Sequence, residues 1–509
     1  MLGEFGRRPG PARPMSGTGR LVDELSPRTR RLVYGELSPA EIAAELALMA
    51  RVDQAHLAML AASGLISPVA ARALLDCVAE LSGQGFRPLF ERPAPRGLYL
   101  MYEGYLIEQL GPDIGGVLHT GRSRNDLKAC ITTVRLRDWL LDFAEQAARL
   151  AAILLSRARA YRSVVMPIYT HFQAAMPVSY GYYLLGLALA IERDLDALAA
   201  ASADLRTCPL GAGAVAGTDL AIDPALTAQL LGFSTGNPHA LDAVASRDVA
   251  LRLLGAVGSL TITVSRLATD LQLWSTAEFG FIEFPDRLVG GSSAMPQKRN
   301  AFLLEHLKAK PGQVIGAWTA AAGTMAGTPF SNSIEVGTEA MASIWQGLRS
   351  GEQAVLLAQV LVSGARPVAD RMIERAETGF TAATSIANRL VQQGMPFRTA
   401  HHLVGDAVRR AIEAGSTKLA EFGPPGWLDG TGLAELDLAK LVEDQRYGGG
   451  PGDFDRPFEQ ACASWKNHRQ WVSDWRRVVS DATAQLDARV ELLLSAQPDV
   501  VPAEPGETG

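Results

Sequence analysis

The chain has 509 residues, enough for two or three domains or one large core with appendages, and its 48% hydrophobic content allows an extensive interior. A formal net charge of −6 argues against nucleic acid or an anionic membrane as a main partner, because both require a basic face. Four scattered cysteines, Cys77, Cys130, Cys208 and Cys462, form no Cys-x-x-Cys pair; they predict reduced thiols in a cytoplasmic protein, not a disulfide frame or a zinc site.

Residues 1–18 lack the apolar segment of a signal peptide and read as a disordered extension, with Met15 as an alternative start. Residues 19–118 read as an N-terminal helical domain. His119-Thr-Gly-Arg-Ser-Arg-Asn-Asp126 then follows a glycine-rich turn and precedes a long helix. Hydroxyls, guanidinium groups and backbone amides at a helix N-terminus suit a carboxylate, although Ser and Asn also cap ordinary helices. Residues 119–366 read as a central bundle of long helices, because no proline occurs between Pro112 and Pro167, Pro177 and Pro209, or Pro238 and Pro285. Leu136, Leu140, Phe143, Leu150 and Leu154 share one face of the first helix, and Leu184, Leu187, Ile191, Leu195 and Leu198 one face of the second. In the third, Leu253, Val257, Leu260, Val264, Leu267, Leu271 and Trp274 alternate spacings of four and three, a coiled-coil seam.

Between these helices lie three strings of chemical interest. Tyr169-Thr-His-Phe-Gln173, with Pro177 opening the next helix, sets a histidine beside a threonine, an arrangement suited to proton shuttling, though a lone histidine is more often structural. Cys208-Pro-Leu-Gly-Ala-Gly-Ala-Val-Ala-Gly217 either faces a substrate or lets helices pack closely. The most informative string is Gly290-Gly-Ser-Ser-Ala-Met-Pro-Gln-Lys-Arg-Asn300. Glycines permit close approach and loop closure, and two cations with an amide would hold an anionic substrate against the serines. Beyond Arg366-Pro367 a second helical region, 367–496, contains Gly394-Met-Pro-Phe-Arg-Thr-Ala-His401, and the tail 497–509 reads as disordered. Strand-like alternation is nearly absent and no apolar run is long and charge-free enough to span a bilayer. The fold class is mainly α, with helices too long for one chain to cover on both sides, hence a bundle shared between subunits.

The strings at 119–126, 170–173, 208–213 and 290–296 stand in the order seen in the fumarase/aspartase superfamily. His119–Asp126 and Gly394–His401 resemble the argininosuccinate lyase branch in particular, as do Ala55-His56 and Met59-Leu60, over roughly residues 19 to 480. The resemblance implies a three-domain fold in a homotetramer, with each active site drawn from three subunits. It implies anti elimination of fumarate from a succinyl group without cofactor or metal. It makes Ser292 the base, with Lys298, Asn300, Ser123, Arg124, Asn125 and Thr170 holding the succinyl carboxylates. His171, set by Glu305, assists the departing nitrogen. Gln173, Arg247, Ser293 and Met295 complete the candidate substrate-binding set.

The chain also departs from that branch. Arg96-Gly-Leu-Tyr99 stands where an acidic Glu-Asp-x-His string is usual, ahead of a helix expected near Glu103. Ser331-Asn-Ser-Ile-Glu-Val-Gly337 replaces a Tyr-Asn-x-Asp-x-Gln segment, Leu127-Lys-Ala-Cys130 replaces Gln-Val-Ala-Thr, Ala301 replaces a proline, and Met49 lies near a missing aspartate. The fumarate-forming residues are thus present while the amine side differs, and a changed polar pocket alters substrate choice strongly. Three readings follow: a C–N lyase for argininosuccinate or a related amine–succinate adduct, a lyase for a different nitrogen-bearing succinate in specialised metabolism such as an ethylenediamine-disuccinate-type adduct, or a non-catalytic crystallin-like relative. Joint retention of Thr170, His171, Ser292, Lys298 and Glu305 speaks against the last.

Overall fold

Serine–proline pairs start the first three helices. Ser26, Ser38 and Ser67 cap α1 (Pro27–Tyr34), α2 (Pro39–Ala62) and α3 (Pro68–Gly83), each with proline in the first turn, where the missing N–H is not needed. The structure, a computed structural model, describes residues 25–94, 96–429, 431 and 437–495. The expected disordered segments at 1–18 and 497–509 lie outside the described residues. After α4 (Leu98–Leu110) and the single turn α5 (Pro112–Gly115), α6 (Arg124–Ala160) runs for 37 residues. Helix α4 therefore starts at Leu98, five residues before the Glu103 expected from the sequence.

Strands β1 (Val165–Thr170) and β2 (Gln173–Ser179) form an antiparallel hairpin in which Pro167 faces Pro177. Pro177 thus lies in a strand and does not open the next helix, correcting the sequence expectation. A two-stranded hairpin leaves free backbone edges on which proline is tolerated. Helix α7 (Tyr180–Ala201) begins after it, where the Ser179 hydroxyl accepts the Tyr182 N–H at 3.0 Å. Short helices α8 (Pro224–Leu230) and α9 (Ala240–Ala245) lead to α10 (Asp248–Trp274), α11 (Phe302–Met325) and α12 (Ala340–Gly364). The chain closes with α13 (Ala369–Thr378), α14 (Ala383–Gln392), α15 (Phe397–Glu413), α16 (Leu438–Asp444) and the 41-residue α17 (Asp455–Ser495). The fold is mainly α, as expected.

The seam on α10 is fully used: all seven residues from Leu253 to Trp274 are buried, in one core with α6, α7, α11 and α12. Gly351 on α12 permits close approach to α10, since a Cβ there would lie 2.2 Å from Val257. By length and composition α10 is apolar enough to cross a membrane, which corrects the expectation that no segment reached that threshold. The buried seam accounts for part of that composition, 44% of the apolar window being buried within the chain. A second core joins α2, α3 and α4 to the start of α6, the 208–233 segment and the end of α17, and a third joins α13 to α16.

Helix α17 is pinned to α7 by His468, whose Nδ1 lies 2.6 Å from Glu192 and Nε2 2.8 Å from Asp196. Burial opposes ionisation, but the two carboxylates raise the His468 pKa above its ordinary value. A histidine raised on folding stabilises below its unfolded pKa of about 6.5, and loses that contribution as pH rises through the folded value. The stability advantage of the wild type over His468→Gln therefore shrinks as pH is raised above neutrality, measured as the difference between their denaturation midpoints. A gap independent of pH would remove the ionic role.

Candidate active site

The first string is built around Asp126. Ser123 caps α6, its hydroxyl accepting the Asn125 N–H at 3.3 Å, while Asp126 Oδ1 accepts the Ser123 N–H at 2.9 Å. Asp126 Oδ2 reaches across to the glycine loop and accepts the Gly211 and Gly213 N–H groups at 3.0 and 2.9 Å. Both glycines have positive φ, the conformation that aims their amides at one oxygen. The Asn125 amide donates to Ala214 O at 3.1 Å. The Cys208–Gly217 run thus serves to hold the start of α6, leaving Arg124 exposed beside it.

Beneath this turn lies a polar network that the sequence reading missed. Arg122 and Asp53 form an ion pair at 2.6 Å with both side chains wholly buried. Arg122 also donates to the Tyr99 hydroxyl at 3.2 Å, which lies 2.8 Å from His119 Nδ1 and donates to Glu103 at 3.1 Å. Burial, then Arg122 and Arg124, lower the His119 pKa to about 4, so the ring is neutral near pH 7. Burial likewise keeps His56 neutral, and its Nε2–H donates to Thr120 O at 2.9 Å. One signal was available: Asp53 is the single acid between Leu46 and Leu60, where the only other polar residues are Arg51, Gln54 and His56, and it lies on the buried side of α2.

The second string occupies the hairpin tip. Thr170 pairs with Gln173 across a two-residue turn, and His171 and Phe172 have φ of 52° and 59°. A two-residue hairpin turn of this hand normally takes glycine or asparagine. Side chains held there are strained by roughly 1–3 kcal/mol each, a mark of functional positions. Thr170, His171, Phe172 and Gln173 are all exposed.

The third string is a surface loop clipped at its base, where Gly290–Gly291 pairs with Arg299–Asn300. Arg299 is tied to Asp286 and to Phe284 O. Inside the loop the Ser292 hydroxyl oxygen accepts the Met295 N–H at 3.1 Å and the Ala294 N–H at 3.3 Å. Two backbone donors on one hydroxyl oxygen favour its ionised form. Ser293, Met295 and Lys298 are exposed, and Asn300 is half-buried. Glu305, in the first turn of α11, accepts from Gln272 at 3.2 Å, and no hydrogen bond joins it to His171 within one chain. Arg247 is buried, donating to Val244 O and Ser246 O.

A cleft of about 1330 Å³ opens over the start of α6. Arg124, Asn125 and Lys128 line it on one side, Tyr99 and α1 on another, and Ser333, Thr338 and Trp345 on a third. Thr170, His171, Ser292 and Lys298 are not among its walls. One chain therefore brings together the first string and the 331–337 segment, but not the second and third strings.

Known proteins supply the context. A family described as Lyase matches residues 99–316, and one described as Argininosuccinate lyase C-terminal matches residues 380–424. Argininosuccinate lyase 1 of Shouchella clausii is 34% identical over 398 residues, covering 78% of this chain and 80% of that protein. The argininosuccinate lyase of Thermus thermophilus is 38% identical, covering 71% and 79%. Among solved structures, ethylenediamine-disuccinate (EDDS) lyase in complex with formate superposes with a TM-score of 0.79 at 23% identity, covering 93% of this chain and 97% of that one. A class II fumarase from Schistosoma mansoni does so at 0.62 and 16% identity, covering 79% and 92%. The structural matches show a common fold, and the sequence matches go further: this chain belongs to the argininosuccinate lyase branch of the fumarase/aspartase superfamily.

Proposed function

We propose that this fumarate-releasing C–N lyase acts on an N-substituted aspartate, with Ser292 as the base. The observation that carries the assignment is the Ser292 oxygen held by two backbone N–H groups on an exposed, glycine-started loop. Ser292 takes the proton beside a succinyl carboxylate. The electron pair is held in that carboxylate as a dianion, then forms the double bond while the neighbouring C–N bond breaks. Preorganised donors at the carboxylate lower this barrier most, a task that falls to Lys298, Asn300, Ser123, Arg124, Asn125 and Thr170. His171, oriented by Glu305, serves the departing nitrogen.

These groups meet only if subunits share the site. Ile262 on α10, Ile315 and Trp318 on α11, and Leu356 and Val360 on α12 remain exposed on the central bundle. An apolar face of this kind on three packed helices supports a homotetramer built on them. The relatives are argininosuccinate lyases by name, and EDDS lyase supports a second adduct class. The altered segments at 96–99 and 331–337 favour an amine other than arginine.

Fumarate release from a panel of N-substituted aspartates, argininosuccinate included, is the direct test, followed by ultraviolet absorbance. Rapid release from argininosuccinate places the protein in arginine synthesis. Release from another adduct alone assigns the altered segments to a different amine. No release from any adduct overturns the lyase.

A further inference from the structure

Lys128 follows Arg124 by one helical turn, so the two side chains share a face of α6, and both line the 1330 Å³ cleft. Its ammonium donates to the Thr338 hydroxyl in the π-helical turn Glu335–Glu339, a backbone irregularity common at functional sites. This bond ties the start of α6, just after the first string, to the residue that follows the 331–337 segment. Of the acids near enough to act on Lys128, Glu45 is committed to Arg135, and Glu339, like much of the Lys128 side chain itself, is exposed to water. Arg247 also acts on it. That guanidinium is 7% exposed, bonds only carbonyl oxygens, and leaves its Nε without a partner. Burial followed by Arg247 lowers the Lys128 pKa, and burial lowers that of Arg247 to about 10. Two neighbouring cations without a carboxylate of their own create a local positive potential that a bound anion offsets. Beside Lys128, Ile131, Met341 and Trp345 give the cleft an apolar wall, set among polar and charged residues that include Glu45, Thr132 and Arg135.

We propose that Lys128, backed by Arg247, is a specificity-determining residue that receives an anionic group, carboxylate in type, carried on the amine half of the substrate. The apolar wall takes the spacer between that group and the nitrogen. The assignment rests on the reading that the cleft admits the amine half of an N-substituted aspartate.

Three series of N-alkyl aspartates test it, alike except for a distal carboxylate, carboxamide or trimethylammonium group, each made at several chain lengths. The wild type favours the carboxylate over the carboxamide by about tenfold or more in kcat/KM, chiefly through KM, as expected for a charge-assisted bond. In Lys128→Met that ratio falls to near one, and in Lys128→Glu the trimethylammonium series overtakes the carboxylate. A merely structural Lys128 lowers all three series alike and leaves the ratio unchanged, which overturns the inference. So does a wild type that favours the carboxamide or the cation. In either case fumarate still appears and the lyase stands; its absence from every adduct removes both.

Discussion

Ser292→Ala lowers kcat by about two to four orders of magnitude, the range expected when a positioned base is removed, while the fold persists. The hydroxyl is well placed for removal without collapse, because its two partners are amides in a loop open to water, which satisfies them in its place. Circular dichroism and gel filtration of the variant match the wild type. Mixing it with His171→Asn, itself inactive, and reassembling the subunits restores part of the activity, since some sites then combine an intact loop with an intact hairpin. Turnover near wild type in the alanine variant alone would sink Ser292 as the base. A mixture that stays dead would sink the shared site.

Asp53→Ala has the largest expected effect on stability. It removes the ion-pair partner of the Arg122 guanidinium in a position where neither side chain reaches water, while Glu103 and Asp126 act on that charge without pairing with it. Breaking such a pair from one side costs about 3–5 kcal/mol, read as a fall in the denaturation midpoint. Activity falls too, because Arg122 immediately precedes Ser123 and shares the Tyr99 hydroxyl with the helix behind it. The double replacement Asp53→Leu with Arg122→Met removes both charges and recovers most of the stability, as apolar substitutes for buried pairs do. A loss below about 1 kcal/mol for the single variant would place the pair in contact with water, where such bridges contribute little.

The seam on α10 was legible because its period of four and three repeats through Trp274, and burial follows it residue by residue. Proline spacing found α6 and α7 for the same reason. It passed over α11, where Pro311 sits inside the helix. The 165–179 hairpin escaped because its turn carries His171 and Phe172 in place of the glycine or asparagine that announces one. At the site the strings themselves were readable, because each packs its chemistry into a few consecutive residues. The Asp53–Arg122–Tyr99–His119 network was not, since it joins residues from separate helices and leaves no periodic trace. Contacts of that kind are set by tertiary packing, which one-dimensional pattern cannot express.

With His171 serving the departing nitrogen as proposed, the turn at His171 and Phe172 sets heat resistance against turnover. Asparagine and glycine would relax that backbone, so a laboratory search that rewards only survival on heating is drawn to this pair and exchanges it early. The survivors would be sturdier proteins with an empty place where the imidazole stood. Selection for durability in this scaffold therefore needs turnover in the same screen.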